Sequence, residues 1–456
     1  IYTIKYMKKI YHKLENFTSI IPNFSYFASS NLISYILSFS FIILFARNYS
    51  PLSFGEFTIA QTIFFLLYSI SFSNIHFYLN KKLSTNFEDR RKDIGSSFLI
   101  TFYTSVALYI LLASVITLLD IRHEFKVLIL VLNLILLSEP FSIFYSELFI
   151  RGQFKRIFLI KFFQNIIFFA IKVYILFKGY NYIYIALAYF AENLFFTIMM
   201  LYYFKKNGNQ FSKLIFLKDH VVDLLRKVSL FPIMAFAAII SMRVDIMMIS
   251  SIIGTEDSGF YSGASRIIII VLLFGTQLFY FMYPNLSRII KYDDKFVKIY
   301  QHLIFISCFI GTSCFAASFL FGEFYLNLFS GDFIKVLISL KILAFNVSFA
   351  LIINLWIQKQ YIDTKYNLIF TYQIVSIFLN VLLNFYLIKY MGINGAALAT
   401  LLSTFISFLI INVTQPKEIY IIFDSFSFRN INEIIKMLKT AIFEKKNPDK
   451  LASKND

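Results

Sequence analysis

Residues 229–284 read SLFPIMAFAAIISMRVDIMMISSIIGTEDSGFYSGASRIIIIVLLFGTQLFYFMYP, two long apolar stretches joined by one short polar turn. Each stretch reaches the roughly 20 residues that an α-helix needs to cross a hydrocarbon core. In lipid the backbone must satisfy its own polar groups, so the pattern predicts a pair of spanning helices. It recurs outward in both directions and places helices near 24–46, 57–79, 96–119, 127–149, 157–177 and 182–204, then near 229–253, 264–284, 300–322, 334–356, 366–388 and 394–414. The fold class is therefore all-α integral membrane, with about 12 transmembrane helices in two six-helix lobes. Composition agrees, because 58% of the 456 residues are hydrophobic and only 15% are charged, which excludes an ordinary soluble domain.

The formal net charge of +17 admits nucleic acid or an anionic surface as a partner, and its distribution decides against nucleic acid. Basic residues alternate with the loops. One side carries Lys5, Lys8, Lys9, Lys13, then Lys81, Lys82, Arg90, Arg91, Lys92, then Arg151, Lys155, Arg156, and later Lys205, Lys206, Lys213, Lys218, Arg226 and Lys227. Arg288, Lys291, Lys295, Lys298, Lys359, Lys365 and a basic tail continue that side, while the other holds little beyond Arg47, Arg122, Lys126, Lys178 and Lys389. Positive charge concentrates in cytoplasmic loops, so both termini are expected inside a cytoplasmic membrane. The first helix follows a basic stretch without a small-residue cleavage site and reads as a retained span, with Met7 a candidate start.

Lys205 to about Val228 forms the longest interior polar break, and Val221, Val222, Leu224 and Leu225 give it an apolar stripe. It reads as an interfacial linker helix between the lobes. The expected division is 1–204, a linker at 205–228, 229–414, and a basic tail at 415–456 whose stripe of Ile431, Ile434, Ile435, Leu438 and Ile442 lies on the cytoplasmic leaflet. The halves echo each other. SFGEFTIAQTI aligns with DSGFYSGASRI, pairing Gly55 with Gly259, Phe57 with Tyr261, Ala60 with Ala264 and Ile63 with Ile267. Ala186, Leu187 and Ala188 against Ala397, Leu398 and Ala399 repeat the pattern near the ends. Both repeats start on the same side, which makes them parallel, a known plan for secondary transporters.

Cys308 and Cys314, six apart on one helix, do not bridge, and His12, His76, His123, His220 and His302 have no metal-ligand spacing. No GxxxxGK[ST] loop is present and no catalytic constellation is visible, so neither a metal, a cofactor nor an enzymatic activity is expected.

Several stretches resemble the polysaccharide repeat-unit flippases of the multidrug, oligosaccharidyl-lipid and polysaccharide exporter superfamily. They are LFARNYSPLSFGEF (44–57), YSELFIRGQFKR (145–156), RVDIMMISSIIGTEDSGFYSGASRI (243–267), YPNLSR (283–288) and MGINGAALATLLS (391–403). The resemblance implies a two-lobed, alternating-access exporter of polyprenyl-pyrophosphate-linked oligosaccharide, with glycosyltransferases and a polysaccharide polymerase as partners. The same residues also read structurally: Gly254 and Gly259 bracket a polar turn, and Gly392, Gly395, Ala396, Ala397 and Ala399 favour close helix packing.

Ionisable residues inside spans are expensive and are the default functional candidates. They are Glu139, Lys172, Glu192, Arg243, Asp245, Arg266 and Lys341. Arg243, Arg266 and Lys172 are candidates for the pyrophosphate, since a guanidinium offers a planar bidentate fork. Glu139 and Glu192 are candidates for ion coupling, with Asn165, Gln164 or Lys172 as the helix contacts that would otherwise hold them. Arg243 and Asp245, two apart, point about 200° away from each other. Asp245 and Arg266 lie at depths of about 13 and 10 Å on neighbouring helices, which allows them to pair and leaves Arg266 open equally to that pair and to substrate contact. Lys341 is expected to snorkel to the outer interface. Rival readings are a multidrug exporter of amphipathic cations, a membrane polymerase or ligase of glycans, and a scaffold without transport.

Overall fold

The computed structural model describes residues 32–72, 90–207, 229–289, 293–363 and 365–415, with isolated pieces at 75, 79, 82, 221–222, 224–226, 420–422 and 424–425. Among them every regular element is helical, and eleven helices are long and apolar enough to span a membrane. A further apolar helix, α1, is described over Leu32–Asn48. The stripe after Asn430 lies outside the described residues.

In chain order the next elements are α2 (Pro51–Ile70), α3 (Arg90–Leu118), α4 (His123–Asn133), α5 (Ile135–Ser138), a 3₁₀ turn (Glu139–Phe144) and α6 (Tyr145–Ile150). Then come α7 (Phe154–Phe177), α8 (Ile183–Lys206), α9 (Leu230–Ile252) and α10 (Thr255–Ile289). The last are α11 (Asp293–Asn327), a 3₁₀ turn (Gly331–Val336), α12 (Leu337–Ile362), α13 (Tyr366–Met391) and α14 (Ile393–Thr414).

Three of the differences from the sequence reading have a clear local reason. α2 begins at Pro51 because Ser50 caps it, its hydroxyl accepting from the Ser53 N–H, and proline fits the first helical turn. α10 begins at Thr255, so the polar stretch 254–259 is a helix start with only Gly254, at φ 133°, outside it. The fourth span is not continuous. Pro140 removes a backbone donor there, and Glu139–Phe144 tightens into a 3₁₀ turn between α5 and α6.

Two compact units result, Ile1–Ser262 with Leu328–Ser330, and Gly263–Asn327 with Gly331–Asp456. The first unit takes in α9 and the head of α10. Its core gathers Ile94 and Phe98 from α3, Phe144 from the 3₁₀ turn, Leu148 from α6, Ile157 from α7 and Phe204 from α8, with Leu224 buried among them. The Phe144 and Phe204 rings sit 4.5 Å apart, centroid to centroid. The stripe Val221, Leu224 and Leu225 is thus packed on protein.

In the second unit α12 is the most enclosed helix, with Ala344, Val347 and Leu351 fully buried. A side chain on Gly395 would lie 2.0 Å from the Leu387 carbonyl oxygen, so only glycine admits the close approach of α14 to α13. Polar side chains cross the helix faces there: Asn380 donates to Ser403 at 3.1 Å, and Ser339 meets Asn394 at 2.8 Å. Large apolar side chains such as Leu118, Phe309, Phe378 and Tyr390 face outward, as lipid-facing residues do.

Candidate functional site

The first unit brings three of the sequence candidates, Glu139, Lys172 and Glu192, into one polar layer. Lys172 on α7 is buried, and its ammonium donates to Glu192 Oε2 on α8 at 2.9 Å. The same nitrogen lies 4.0 Å from the centre of the Tyr189 ring and 5.3 Å from that of Phe41. Gln164 donates to the Glu192 backbone carbonyl at 3.0 Å, and Asn165 to the Ser34 hydroxyl at 2.7 Å. At the next residue of α8, Asn193 bridges outward, accepting from the Ser138 hydroxyl at 2.7 Å and donating to Glu139 Oε1 at 2.9 Å. The broken fourth span aims Glu139 at this layer. Glu192 is therefore held by a cation, whereas Glu139 is held by a neutral amide.

Arg243 and Asp245 sit on different faces of α9, as their spacing requires, and both faces are covered. Arg243 is buried with its guanidinium over the Phe65 ring of α2, 5.3 Å from the centroid. Among the described residues no carboxylate forms an ion pair with it. Asp245 accepts from the Tyr261 hydroxyl at 2.5 Å and from the Ile246 N–H at 2.8 Å, both within its own unit. Beside this layer α2 and α10 touch through Gly55 and Gly259. A Cβ on Gly55 would fall 2.1 Å from the Thr255 carbonyl oxygen, and one on Gly259 would fall 2.3 Å from that of Pro51.

Glu56 was not among the sequence candidates, because a helix placed from residue 57 leaves it in a loop. It is 3% exposed. Its Oε2 accepts from Tyr182 Oη at 2.7 Å and from the Arg122 guanidinium at 3.3 Å, and Arg122 also reaches Glu124 at 3.6 Å. Burial pushes the Tyr182 phenol above its ordinary value, and the hydrogen bond to the Glu56 carboxylate adds to the shift. The cluster ties the start of α2 to the α3–α4 connection and the start of α8. A Ser-Pro helix start five to six residues upstream of a lone acid is the signal that would have found it.

In the second unit Arg266 is partly buried on α10, near Tyr325, whose hydroxyl donates to the Gly263 carbonyl at 2.8 Å. Lys341 lies over the Phe319 ring at 4.5 Å. Arg266 and Asp245 belong to different units. Cys308 and Cys314 are free thiols, and among the described residues no group of three or more His, Cys, Asp or Glu side chains is arranged to hold a metal.

Comparison with known proteins places this architecture. The capsular polysaccharide biosynthesis protein CapF of Staphylococcus aureus is 22% identical over 406 residues, covering 86% of this chain and 98% of that protein. Among solved structures, the lipid II flippase MurJ in an inward closed conformation superposes with a TM-score of 0.66 at 17% identity, over 92% of this chain and 99% of its own. An inward-facing multidrug resistance transporter of the MATE family, within the MOP superfamily, gives 0.63 at 13% identity over 86% and 96%. The two structural likenesses show the fold that the sequence stretches implied. A family model described as polysaccharide biosynthesis protein matches residues 20–290, more than half of the sequence, and the chain belongs to that family.

Proposed function

We propose that this protein is a flippase, a secondary transporter that moves polyprenyl-pyrophosphate-linked oligosaccharide units across a cytoplasmic membrane for polysaccharide biosynthesis. The observation that carries the reading is membership of the polysaccharide biosynthesis family on a fold shared with a protein named as a lipid II flippase. Both termini face the cytoplasm in this reading, and glycosyltransferases and a polymerase act on either side of the step.

Arg243 is the residue we assign to the pyrophosphate. A guanidinium stays charged at any physiological pH and donates two parallel hydrogen bonds to an anionic oxygen pair. Buried against Phe65 with no carboxylate bound to it among the described residues, Arg243 keeps that capacity for cargo. Arg266, in the second unit, is a further candidate for an anionic group of the cargo, and loss of transport at normal abundance in Arg266→Ala would support it. Lys172 spends its charge on Glu192. Glu139, held by an amide, is the carboxylate assigned to ion coupling. In this reading, exposure of the cargo alternates between the two sides of the membrane.

Deleting the gene and restoring it tests the proposal. Cells without the protein should lose surface polysaccharide and accumulate lipid-linked units on the inner leaflet, and the restored gene should reverse both. Normal polysaccharide together with a changed resistance to cationic drugs would instead make this an exporter of amphipathic cations.

A further inference from the structure

The surroundings of Lys172 are those of a receptor for a cation. Its nitrogen faces the rings of Tyr189 and Phe41, whose centroids are 6.2 Å apart with planes at 74°, so the two rings form a corner. The Glu192 carboxylate closes a third side at 2.9 Å. Aromatic faces combined with an anion are the chemistry that recognises organic ammonium ions, because the ring quadrupole attracts a cation. A structural ion pair needs only the carboxylate. Here Glu192 is the single hydrogen-bond acceptor of Lys172 among the described residues, and ring faces supply the remaining contact. Glu192 keeps 16% of its side chain exposed, which leaves an edge open.

We propose that the first unit contains a binding site for a small organic ammonium cation, filled in this protein by its own Lys172. The lysine is a tethered occupant and a specificity residue: while its ammonium sits in the corner, no cationic solute enters. This inference is independent of the glycan cargo and of the flippase reading.

Lys172→Ala removes Cγ, Cδ, Cε and Nζ, and n-propylammonium restores the same atoms untethered. The purified full-length variant should unfold at a higher temperature in n-propylammonium chloride than in sodium chloride at equal concentration. 1-Propanol, which lacks the charge, should give no shift, and wild type should give none because the site is filled. The shift should vanish in Lys172→Ala with Glu192→Gln, and shrink in Lys172→Ala with Tyr189→Leu, which keeps the carboxylate but loses a ring. If Lys172→Ala does not accumulate, growth with n-propylammonium should restore it. Absence of any rescue while Glu192→Gln restores folding, or an equal shift in wild type or in the Glu192→Gln double variant, overturns the proposal.

Discussion

Gly55 and Gly259 occupy the same place in the two sequence repeats and pack against each other reciprocally. Each would aim a side chain at the carbonyl oxygen four residues before the other: Gly55 at Thr255, Gly259 at Pro51. Pro51 and Thr255 open their helices in turn, so the contact is isologous, the form a local two-fold axis imposes on equivalent surfaces. A duplication read from short matches thus has a geometric counterpart.

Substituting either glycine tests that contact. Gly55→Ala and Gly259→Ala should each destabilise the purified protein by about 1–3 kcal/mol, because a backbone oxygen cannot move aside as a side chain can. Gly331→Ala, where nothing lies within 4 Å, is the control and should stay within about 0.5 kcal/mol. Thermal unfolding in detergent reads both, and equal melting temperatures for all three would remove the contact from the fold's energetics.

Glu56 should matter to folding more than its exposed partner does. Glu56→Ala leaves the buried Tyr182 hydroxyl without its acceptor, at a cost of about 1–3 kcal/mol. Arg122 has 53% of its side chain exposed, so Arg122→Ala should cost under about 1 kcal/mol and less still in high salt. A double-mutant cycle of Glu56→Ala with Tyr182→Phe should show a coupling of about 0.5–3 kcal/mol. Additive losses would mean that the hydrogen bond contributes nothing measurable.

Arg243 separates charge from geometry. Arg243→Ala should abolish surface polysaccharide at normal abundance, whereas Arg243→Lys, which keeps the charge and loses the fork, should retain part of it. Full activity of Arg243→Ala would take the residue out of the mechanism.

The two carboxylates of the first unit should part company. Glu139→Gln preserves an acceptor for Asn193 and should leave abundance unchanged while weakening the response of transport to an imposed proton or Na⁺ gradient. Glu192→Gln strands the Lys172 ammonium, at about 3–5 kcal/mol, and should lower folded protein until Lys172→Met is added. A wild-type gradient response in Glu139→Gln would make that carboxylate structural.

Orientation is checked by reporter fusions. Those after Lys92, Lys218 and Lys298 should read cytoplasmic, and those near Asp257 and Lys389 external. An external reading at Lys218 would overturn the plan of two parallel six-helix halves.

The spans and the family were legible because apolar length and short ordered motifs are properties of consecutive residues. Helix starts were less so. Hydropathy alone placed α2 from residue 57, although Ser50 and Pro51 carry the cap that starts it at Pro51. That shift hid Glu56. Side-chain partners depend on which helices meet and at what rotation, which spacing along one helix does not encode. It separated Arg243 from Asp245 correctly by rotation, yet could not name Phe65 or Tyr261 as what each face meets. Lys172 stood as one of three possible holders of the acidic pair, and only the packing of α7 on α8 selects Glu192 for it.

The burial of Leu224 has a consequence for how the molecule is held together. A chain cut anywhere in 208–220 would leave Ile94, Phe98 and Phe204 on one polypeptide and carry Leu224 away on the other. The second piece would then bear an apolar side chain whose packing partners lie on the first. Co-expressed as two separate fragments, the pieces should therefore still associate, because burying that apolar side chain again is favourable.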